Sequence, residues 1–405
     1  MSTAWSRQPG GSRGLMGIYL DYQASTPVDP RVKAIMFEVM DRDFANPSSE
    51  SHSAGWQAGK RVEDARATIA EAIKCDPDEI IFTSGATEAN NIGVLGAALG
   101  APEGRRRILI GATEHKAVLE AALAAERFGY TVELLPVEGS GVIDPAELKN
   151  RLDESVAVVS VMLVNNEIGT IQPLEELVEL SAAAGAFVHT DATQAPTAID
   201  VDVRELGVDA ASFSSHKIYG PKGVGALYLS ATSPWRPRPL MFGGGQEQGL
   251  RPGTLPTHLC AGFAEAFRLI AEEGSGERER VEHLRNSFVR CLEENVPIFK
   301  LTGTCSHRHP GNLHARFIGI VGDDLLLRLQ PHIFASTGSA CTSGHLSVSH
   351  VLKAIGLSDV EAGECIRFSI GRQTTESDLA RASDIIAGAI DSLGDQVRQS
   401  GRALS

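Results

Sequence analysis

Short apolar segments alternate with amphipathic segments between about residues 30 and 229 of this 405-residue chain. Seven apolar segments have the length and composition of buried strands, at 79–84, 107–111, 131–136, 156–164, 186–190, 210–214 and 225–229. Helical periodicity covers about 31–40, 56–74, 115–128, 145–152 and 173–184, and another helix begins near residue 87. The alternation predicts an α/β protein: a mostly parallel seven-stranded sheet with helices on both faces, joined by right-handed crossovers.

The pattern changes after Leu229, where prolines and three consecutive glycines precede a long amphipathic stretch at about 257–295. We therefore predict a large domain at 27–270 and a smaller α+β domain formed by 18–26 and 271–405. Residues 1–17 are rich in Ser, Gly and Arg and have no apolar run, so we expect a disordered leader and not a signal peptide.

Charge and cysteine content limit the classes of partner. The formal net charge is -14, with no strong basic block, which argues against direct binding of nucleic acid or of an anionic membrane. The six cysteines are scattered and form no CxxC pair, so we expect reduced thiols. An acidic cytoplasmic protein is the expectation.

A lysine and an aspartate follow two neighbouring predicted strands. Asp191 ends the strand near 186–190, and Lys217 follows the strand near 210–214. The carboxyl ends of strands in a parallel sheet meet at one edge, so both side chains should face one crevice. Pyridoxal 5'-phosphate needs a lysine for covalent attachment and an acidic group for its pyridine nitrogen. The pair therefore predicts this cofactor, although a lone lysine is usually a solvated surface charge.

Other polar residues fall at the same predicted edge. Gln194 can donate to the ring hydroxyl oxygen, while Ser214 and His216 can bind phosphate. Gly85, Ala86 and Thr87 open a helix whose N-terminus can also hold phosphate, although such a segment alone is more often an ordinary capped helix.

Four further residues have a functional and an ordinary interpretation. His115 can lie over the cofactor ring and move protons, or it can be a helix cap or a surface residue. Asn166 can contact substrate or cofactor, or belong to a turn. Arg367, on a predicted strand, can bind a substrate carboxylate or form an internal salt bridge. Cys341, in a small polar loop, can be a reactive thiol or an incidental one.

These motifs together resemble the cysteine desulfurases of the class-V aminotransferase family, of the iron-sulfur-cluster-assembly and nitrogen-fixation type. The resemblance rests on segments that occur in the family's order: 19–29, 46–48, 83–90, 113–118, 164–169, 191–194, 215–223, 251–254, 338–343 and 367–372. The chain departs from the family pattern at Ser25, at Ser215, at Gln248 in place of an arginine, and in a short tail after Leu393.

The resemblance implies the pyridoxal-phosphate-dependent fold type I and removal of sulfur from L-cysteine, giving L-alanine. It implies that Cys341 carries the persulfide and that Asn166 and Arg367 bind substrate. It also implies a homodimer in which the loop containing Thr254 reaches the partner's cofactor phosphate.

The sulfur acceptor remains open at this point: the family serves iron-sulfur cluster assembly, tRNA thiolation and DNA phosphorothioate modification. An aminotransferase or a selenocysteine lyase of the same superfamily is the alternative activity, and neither needs a nucleophilic cysteine in this loop. A cofactor-bearing scaffold without turnover is the alternative from another class. We expect no metal site.

Overall fold

The structure is a computed structural model that describes residues 17–304, 306–338 and 348–402, with side chains described as far as residue 393. The predicted leader lies outside the described residues except for Gly17, and Cys341 also lies outside them.

The described residues form the following strands: β1 Ile18–Tyr19, β2 Ile80–Thr83, β3 Arg107–Gly111, β4 Thr131–Leu135, β5 Val156–Ser160, β6 Phe187–Asp191, β7 Ala210–Ser214, β8 Gly225–Leu229, β9 Phe299–Leu301, β10 Asn312–Phe317, β11 Ile333–Phe334 and β12 Cys365–Ser369. The α-helices are α1 Pro30–Arg42, α2 Ser53–Ile73, α3 Ala86–Asn91, α4 Ala97–Gly100, α5 Lys116–Ala125, α6 Pro145–Lys149, α7 Leu174–Ala183, α8 Val203–Leu206, α9 Thr257–Asn295, α10 Gly322–Leu329, α11 His350–Ala354, α12 Asp359–Gly363 and α13 Glu376–Arg402.

The main sheet has seven strands in the order β2-β8-β7-β6-β5-β3-β4. Strands β3 to β7 pair in parallel, whereas β8 is antiparallel to both β7 and β2. The mostly parallel seven-stranded sheet predicted from the sequence is thus confirmed. Because β2 runs in the same direction as β5, β6 and β7, the carboxyl ends of these strands lie at one edge.

Both faces of this sheet are covered by helices, which explains why its central strands are continuously apolar. Every residue of β5, β6 and β7 is buried. Val158 and Phe187 pack into a core shared with α3 and α5, while Val159 and Val188 pack into a core shared with α2, α7 and α9. This arrangement is the layered α/β architecture expected from the sequence.

Local signals in the sequence set several helix ends. Asp29 caps α1, because its carboxylate accepts from the Arg31 backbone N–H, and Pro30 occupies the first helical position. Helix α2 ends at Ile73, and the following cap residue, Lys74, has a φ of 65° in the left-handed region. A π-helical turn at Ile92–Gly96 joins α3 to α4, and we find no local sequence signal that predicts it.

A second hydrophobic core surrounds a small antiparallel sheet of order β12-β10-β9. Strand β1, from the N-terminal segment, pairs in parallel with β11 and places Leu20 in this second core. Helix α9 contributes Phe263 to the first core and Phe288 to the second. The predicted domain boundary at residues 270/271 falls inside α9, and the two-domain division stays a prediction.

None of the helices in the described part of the chain is both long enough and apolar enough to cross a membrane.

Candidate active site

A cleft of about 450 Å³ opens at the edge where the carboxyl ends of β2, β6 and β7 meet. Eleven of the residues predicted from the sequence line it: Gly85, Ala86, Thr87, His115, Asn166, Asp191, Gln194, Ser214, His216, Lys217 and Arg367. Most of them stand at the end of a strand or on the segment that follows one, which explains why residues far apart in the sequence line one crevice.

Lys217 ends a short 3-10 turn, Ser215–Lys217, that follows β7 directly. Its Nζ donates to the carbonyl oxygens of Gln23, at 2.5 Å, and Ala24, at 2.9 Å. Both carbonyls belong to the segment after β1, so the N-terminal part of the chain holds this amine at the cleft. A tethered primary amine in a partly buried position is suited to covalent attachment of an aldehyde.

Asp191 is the last residue of β6 and is 2 % exposed. Its Oδ2 accepts from Asn90 Nδ2 at 2.7 Å, and its Oδ1 accepts from the Thr193 backbone N–H at 3.0 Å. Two donors therefore fix the orientation of a buried carboxylate that lines the cleft. Such a carboxylate can hold a protonated ring nitrogen.

His115 stands at the start of α5 and combines the two interpretations left open by the sequence. Its Nδ1 accepts from the Ala117 backbone N–H at 3.1 Å, so the imidazole is a helix cap that also lines the cleft. Burial lowers the pKa of His115, Lys217 lowers it further, and Asp191 opposes both. The ring is therefore neutral at pH 7, and with Nδ1 accepting it carries its proton on Nε2.

The helical segment that begins at Ala86 has no side-chain cap at Gly85, whose φ is 154°. Ala86 and Thr87 of its first turn line the cleft, as do Ser214 and His216 at the end of β7. Burial and the neighbouring Lys217 and Lys222 lower the pKa of His216 to about 4. Residues of a helix start and polar side chains, all predicted to bind phosphate, thus line one cleft.

Thr254, also predicted at the phosphate, is exposed and is not part of the cleft lining in this single chain. Gly253 before it has a φ of 113°, a conformation that favours glycine, so the loop makes a sharp turn at the surface. Its predicted contact with a partner's cofactor stays a prediction.

Gln194 is 3 % exposed, and its Nε2 donates to the Gln23 carbonyl oxygen at 3.0 Å. The amide nitrogen carries two hydrogens, so this bond leaves the second one for the predicted acceptor, the ring hydroxyl oxygen. Gln23 accepts from both Gln194 and Lys217, which makes this backbone segment a shared support for two predicted cofactor ligands.

Arg367 lies on β12 and reaches the cleft from the second core. Its Nη1 donates to the Asn166 carbonyl oxygen at 2.7 Å, and its Nη2 forms an ion pair with Asp21 Oδ1 at 2.8 Å. The Nε atom is buried and has no hydrogen-bond partner among the described residues. The internal salt bridge left open by the sequence is present, and the guanidinium also lines the cleft.

Two buried carboxyl groups stand behind the cleft, and the sequence-based interpretation did not single them out. Burial raises the pKa of Glu114 well above its usual value, and Asp191 raises it further. Burial also raises the pKa of Glu167, whose Oε2 accepts from Ser349 Oγ at 2.6 Å. Both groups therefore favour the protonated form more than an exposed glutamate does.

Other lining residues were also missed: Gln23, Ala24, Ser84, Glu88, Met162, Thr193, Lys222, Gly223 and Gly338. Several lie within the motifs quoted above, so position within a motif was an available signal for Lys222 and Thr193. Asn90 and Gln23 also lie within such segments, but nothing in the sequence indicates their contacts, because only the folded chain brings them to Asp191 and Lys217.

The groups of the cleft fit pyridoxal phosphate. An amine on Lys217 and an oriented carboxylate on Asp191 share the cleft with neutral His115. Helix-start backbone and hydroxyl groups line it as well. Among the described residues there is no cluster of His, Cys, Asp and Glu that could hold a metal ion.

Comparison with known proteins gives consistent matches over most of the chain. The family model described as aminotransferase class-V matches residues 18–381. The cysteine desulfurase IscS of Rickettsia massiliae (strain Mtu5) is 42% identical over 376 residues, which cover 93% of this chain and 92% of that protein.

Solved structures agree in fold with these sequence matches. A structure described as a NifS-like protein superposes with a TM-score of 0.85 at 33% identity, covering 93% of this chain and 99% of that one. The structure of SspA in complex with cysteine superposes with a TM-score of 0.77 at 32% identity, covering 88% of this chain and 100% of that one.

Proposed function

This chain belongs to the class-V aminotransferase family and, within it, to the pyridoxal-phosphate-dependent cysteine desulfurases of fold type I, and from that premise we propose which of its residues perform the reaction. The observation that carries the proposal is the meeting of Lys217, Asp191, His115 and Arg367 in one cleft. The amine can attach the cofactor, and the carboxylate can polarise its ring. The imidazole can transfer protons, and the guanidinium can bind the carboxylate of an α-amino acid.

Pyridoxal phosphate, when bound, supplies an electron sink beside the substrate Cα. Asp191 would hold the ring nitrogen, because its carboxylate is already oriented by Asn90 and Thr193. Lys217 would hold the cofactor through Nζ and, once substrate has taken that place, move the proton from Cα. Ala86, Thr87, Ser214 and His216 would bind the phosphate, and Gln194 the ring hydroxyl oxygen.

Arg367 would bind the carboxylate of L-cysteine, since it offers a buried Nε–H and a charged guanidinium to the cleft. Asn166 lines the cleft beside it, and its carbonyl oxygen holds Arg367 Nη1. The solved neighbour SspA is described as being in complex with cysteine, and this supports the same class of ligand for the present cleft.

Cys341 would accept the sulfur. Its thiolate would attack the substrate sulfur, so that an S–S bond forms as the substrate's Cβ–S bond breaks. The electron pair of the broken bond stays with the substrate, and protonation gives alanine and a persulfide on Cys341. His115, neutral and with its proton on Nε2, would be the proton-transfer group for this step.

The persulfide sulfur would then pass to an acceptor protein in the cytoplasm, for iron-sulfur cluster assembly, tRNA thiolation or DNA phosphorothioate modification. The acidic surface supports a protein acceptor over direct contact with nucleic acid.

We also propose a homodimer. Helix α1, the segment after it and the start of α2 expose Phe37 (64 %), Met40 (41 %), Phe44 (81 %) and Trp56 (62 %), a set that we name the apolar patch. Arg61 of α2 pairs with both Asp43 and Glu38, which ties this region into one surface. Exposed apolar groups of this size favour burial against a second copy.

Two substitutions test the residue roles. Lys217→Ala should lose the visible absorbance of the bound cofactor and all release of alanine from L-cysteine. Lys33→Ala is the matched control and should lose neither. Cys341→Ser should keep the cofactor absorbance and form no persulfide. Undiminished sulfur release by either variant would refute its assigned role.

A third assay separates the alternative activities. Purified protein with L-cysteine and a reductant should release alanine and sulfide in equal amounts without a keto acid. Dependence on a keto acid would indicate an aminotransferase, and turnover confined to selenocysteine would indicate a selenocysteine lyase.

A further inference from the structure

Three segments far apart in the sequence place an aspartate, a serine and an arginine in mutual contact. Arg367 Nη2 donates to Asp21 Oδ1 at 2.8 Å and to Ser336 Oγ at 2.9 Å, and Ser336 Oγ donates to Asp21 Oδ1 at 3.0 Å. The three polar atoms therefore form a closed triangle with edges of hydrogen-bond length.

Backbone pairing fixes this triangle. Ser336 and Arg367 form an antiparallel bridge with each other, and Asp21 forms a parallel bridge with Ser369, two residues after Arg367. The Arg367 side chain is 3 % exposed and that of Asp21 is 20 % exposed. A guanidinium held in this way keeps its orientation when the cleft is empty.

Asp21 also compensates the charge of Arg367. An isolated cation with this degree of burial is costly, and the adjacent carboxylate removes most of that cost. A substrate carboxylate that binds to the same guanidinium, however, comes within a few ångströms of Asp21. The two carboxylates repel each other there, in a site that water screens only partly.

Resting on the proposed function of Arg367, we propose that Asp21 is a positioning residue that orients this guanidinium and lowers its affinity for the carboxylate of the amino acid. Asp21 thus competes with every amino acid that binds in the cleft, substrate and product alike. The product alanine carries the same carboxylate as cysteine, so this competition favours its release. Ser336 shares the orienting role but carries no charge, and therefore does not compete electrostatically.

The experiment uses the enzyme loaded with pyridoxal phosphate and measures equilibrium binding of L-alanine and of ethylamine by titration calorimetry. Ethylamine is alanine without the carboxylate, so it reports every contribution to binding except that of Arg367. Asp21→Asn removes the negative charge and keeps an oxygen that can accept from Arg367 Nη2. We expect this variant to bind L-alanine about tenfold more tightly and to bind ethylamine with less than a twofold change.

Matched variants separate charge from geometry. Ser336→Ala removes the neutral hydroxyl that accepts from Arg367 Nη2, and it should change the Kd of L-alanine less than threefold. Asp43→Asn removes a carboxylate that pairs with Arg61 elsewhere and should leave the Kd of both ligands unchanged. Asp21→Ser should tighten L-alanine binding as Asp21→Asn does, and it replaces that variant if the asparagine form does not fold.

A double-mutant cycle tests whether the effect passes through Arg367. In an Arg367→Leu background, Asp21→Asn should no longer tighten the binding of L-alanine. Unchanged or weaker binding of L-alanine by both Asp21 variants would overturn the inference, as would an equal shift for ethylamine or a tenfold gain from Ser336→Ala. If the unsubstituted enzyme and Arg367→Leu bind L-alanine equally well, the proposed role of Arg367 itself fails.

Discussion

At the scale of single residues, the site combines groups that the sequence identifies with groups that only folding brings into place. Lys217 and Asp191 were predictable because each follows a buried strand, and parallel strands direct the residues after them to one edge. Asn90 and Asp21 were not predictable, since their roles depend on side-chain contacts with Asp191 and Arg367 across 101 and 346 residues.

His115 and Arg367 show that the ordinary and the functional interpretation of a residue can both hold. His115 caps α5 through Nδ1 and also lines the cleft, and Arg367 forms an internal ion pair while its Nε–H has no partner among the described residues. The structural role sets the orientation, and the orientation makes the chemical role possible.

His314 carries a prediction about pH. It is fully buried on β10, neither ring nitrogen has a partner among the described residues, and burial together with Arg308 and Arg367 lowers its pKa to about 3. Above the unfolded value of about 6.5 the ring is neutral in both states. As the pH falls below 6.5, the unfolded chain takes up a proton that the folded chain does not, so stability is lost down to about pH 3.

His314→Leu removes this pH-dependent contribution to the free energy of unfolding. We expect the free energy of unfolding of the variant, relative to the original chain, to be higher at pH 5 than at pH 7.5 by about 2 kcal/mol. Urea denaturation at the two pH values measures it, and His283→Leu at the exposed surface is the control for loss of a histidine. An equal difference at both pH values would contradict the prediction.

At the scale of elements, the sequence predicted the strands and helices of the large sheet well because they are long and periodic. The predicted strand 156–164 is longer than β5, which ends at Ser160. Beyond it the chain stays apolar and buried and continues to donate to β6, with Val161 donating to the His189 carbonyl and Leu163 to that of Asp191. Apolarity alone does not distinguish a residue inside a strand from a buried residue just beyond the end of that strand.

The π-helical turn supports a prediction about the helical segment that carries Asn90. Gly93 lies against the ring of His189, and a Cβ added there would stand 2.4 Å from His189 Cδ2. His189 cannot move easily, because its two nitrogens contact Ser160 Oγ at 2.8 Å and Ser212 Oγ at 2.9 Å on the neighbouring strands.

Gly93→Ala should therefore destabilise the protein by about 2 kcal/mol or more, and should weaken cofactor binding by shifting Asn90 away from Asp191. Chemical denaturation and a cofactor titration measure the two effects. Gly276→Ala, on α9 with open space around it, should instead raise stability by roughly 0.5–1 kcal/mol. Equal behaviour of the two variants would show that the contact with His189 has no effect on stability.

At the scale of the whole molecule, two hydrophobic cores share helix α9, and the cleft lies where residues from both meet. Lys217 and Asp191 come from the main sheet, while Arg367 comes from the small one. Sequence patterns predicted two regions with a boundary inside what is a continuous helix, because an amphipathic helix shows no break where it passes from one core to the next.

The proposed dimer gives a prediction at this scale. Phe44→Glu combined with Trp56→Glu places two charges on the apolar patch, so the variant should sediment as a monomer of 43.1 kDa where the original chain sediments as a dimer. Phe128→Glu, a 55 % exposed site outside the patch, is the matched control and should remain dimeric. A variant that keeps the mass of the original assembly would exclude the patch as the interface.

The central claim is that Lys217 holds pyridoxal phosphate. The most direct test is to reduce the cofactor-loaded protein with borohydride, digest it, and locate the modified lysine by mass spectrometry. We expect a phosphopyridoxyl group on the peptide containing Lys217 and its loss when L-cysteine is added before reduction. A modification on another lysine, or protein that acquires no such group after incubation with pyridoxal phosphate, would contradict it.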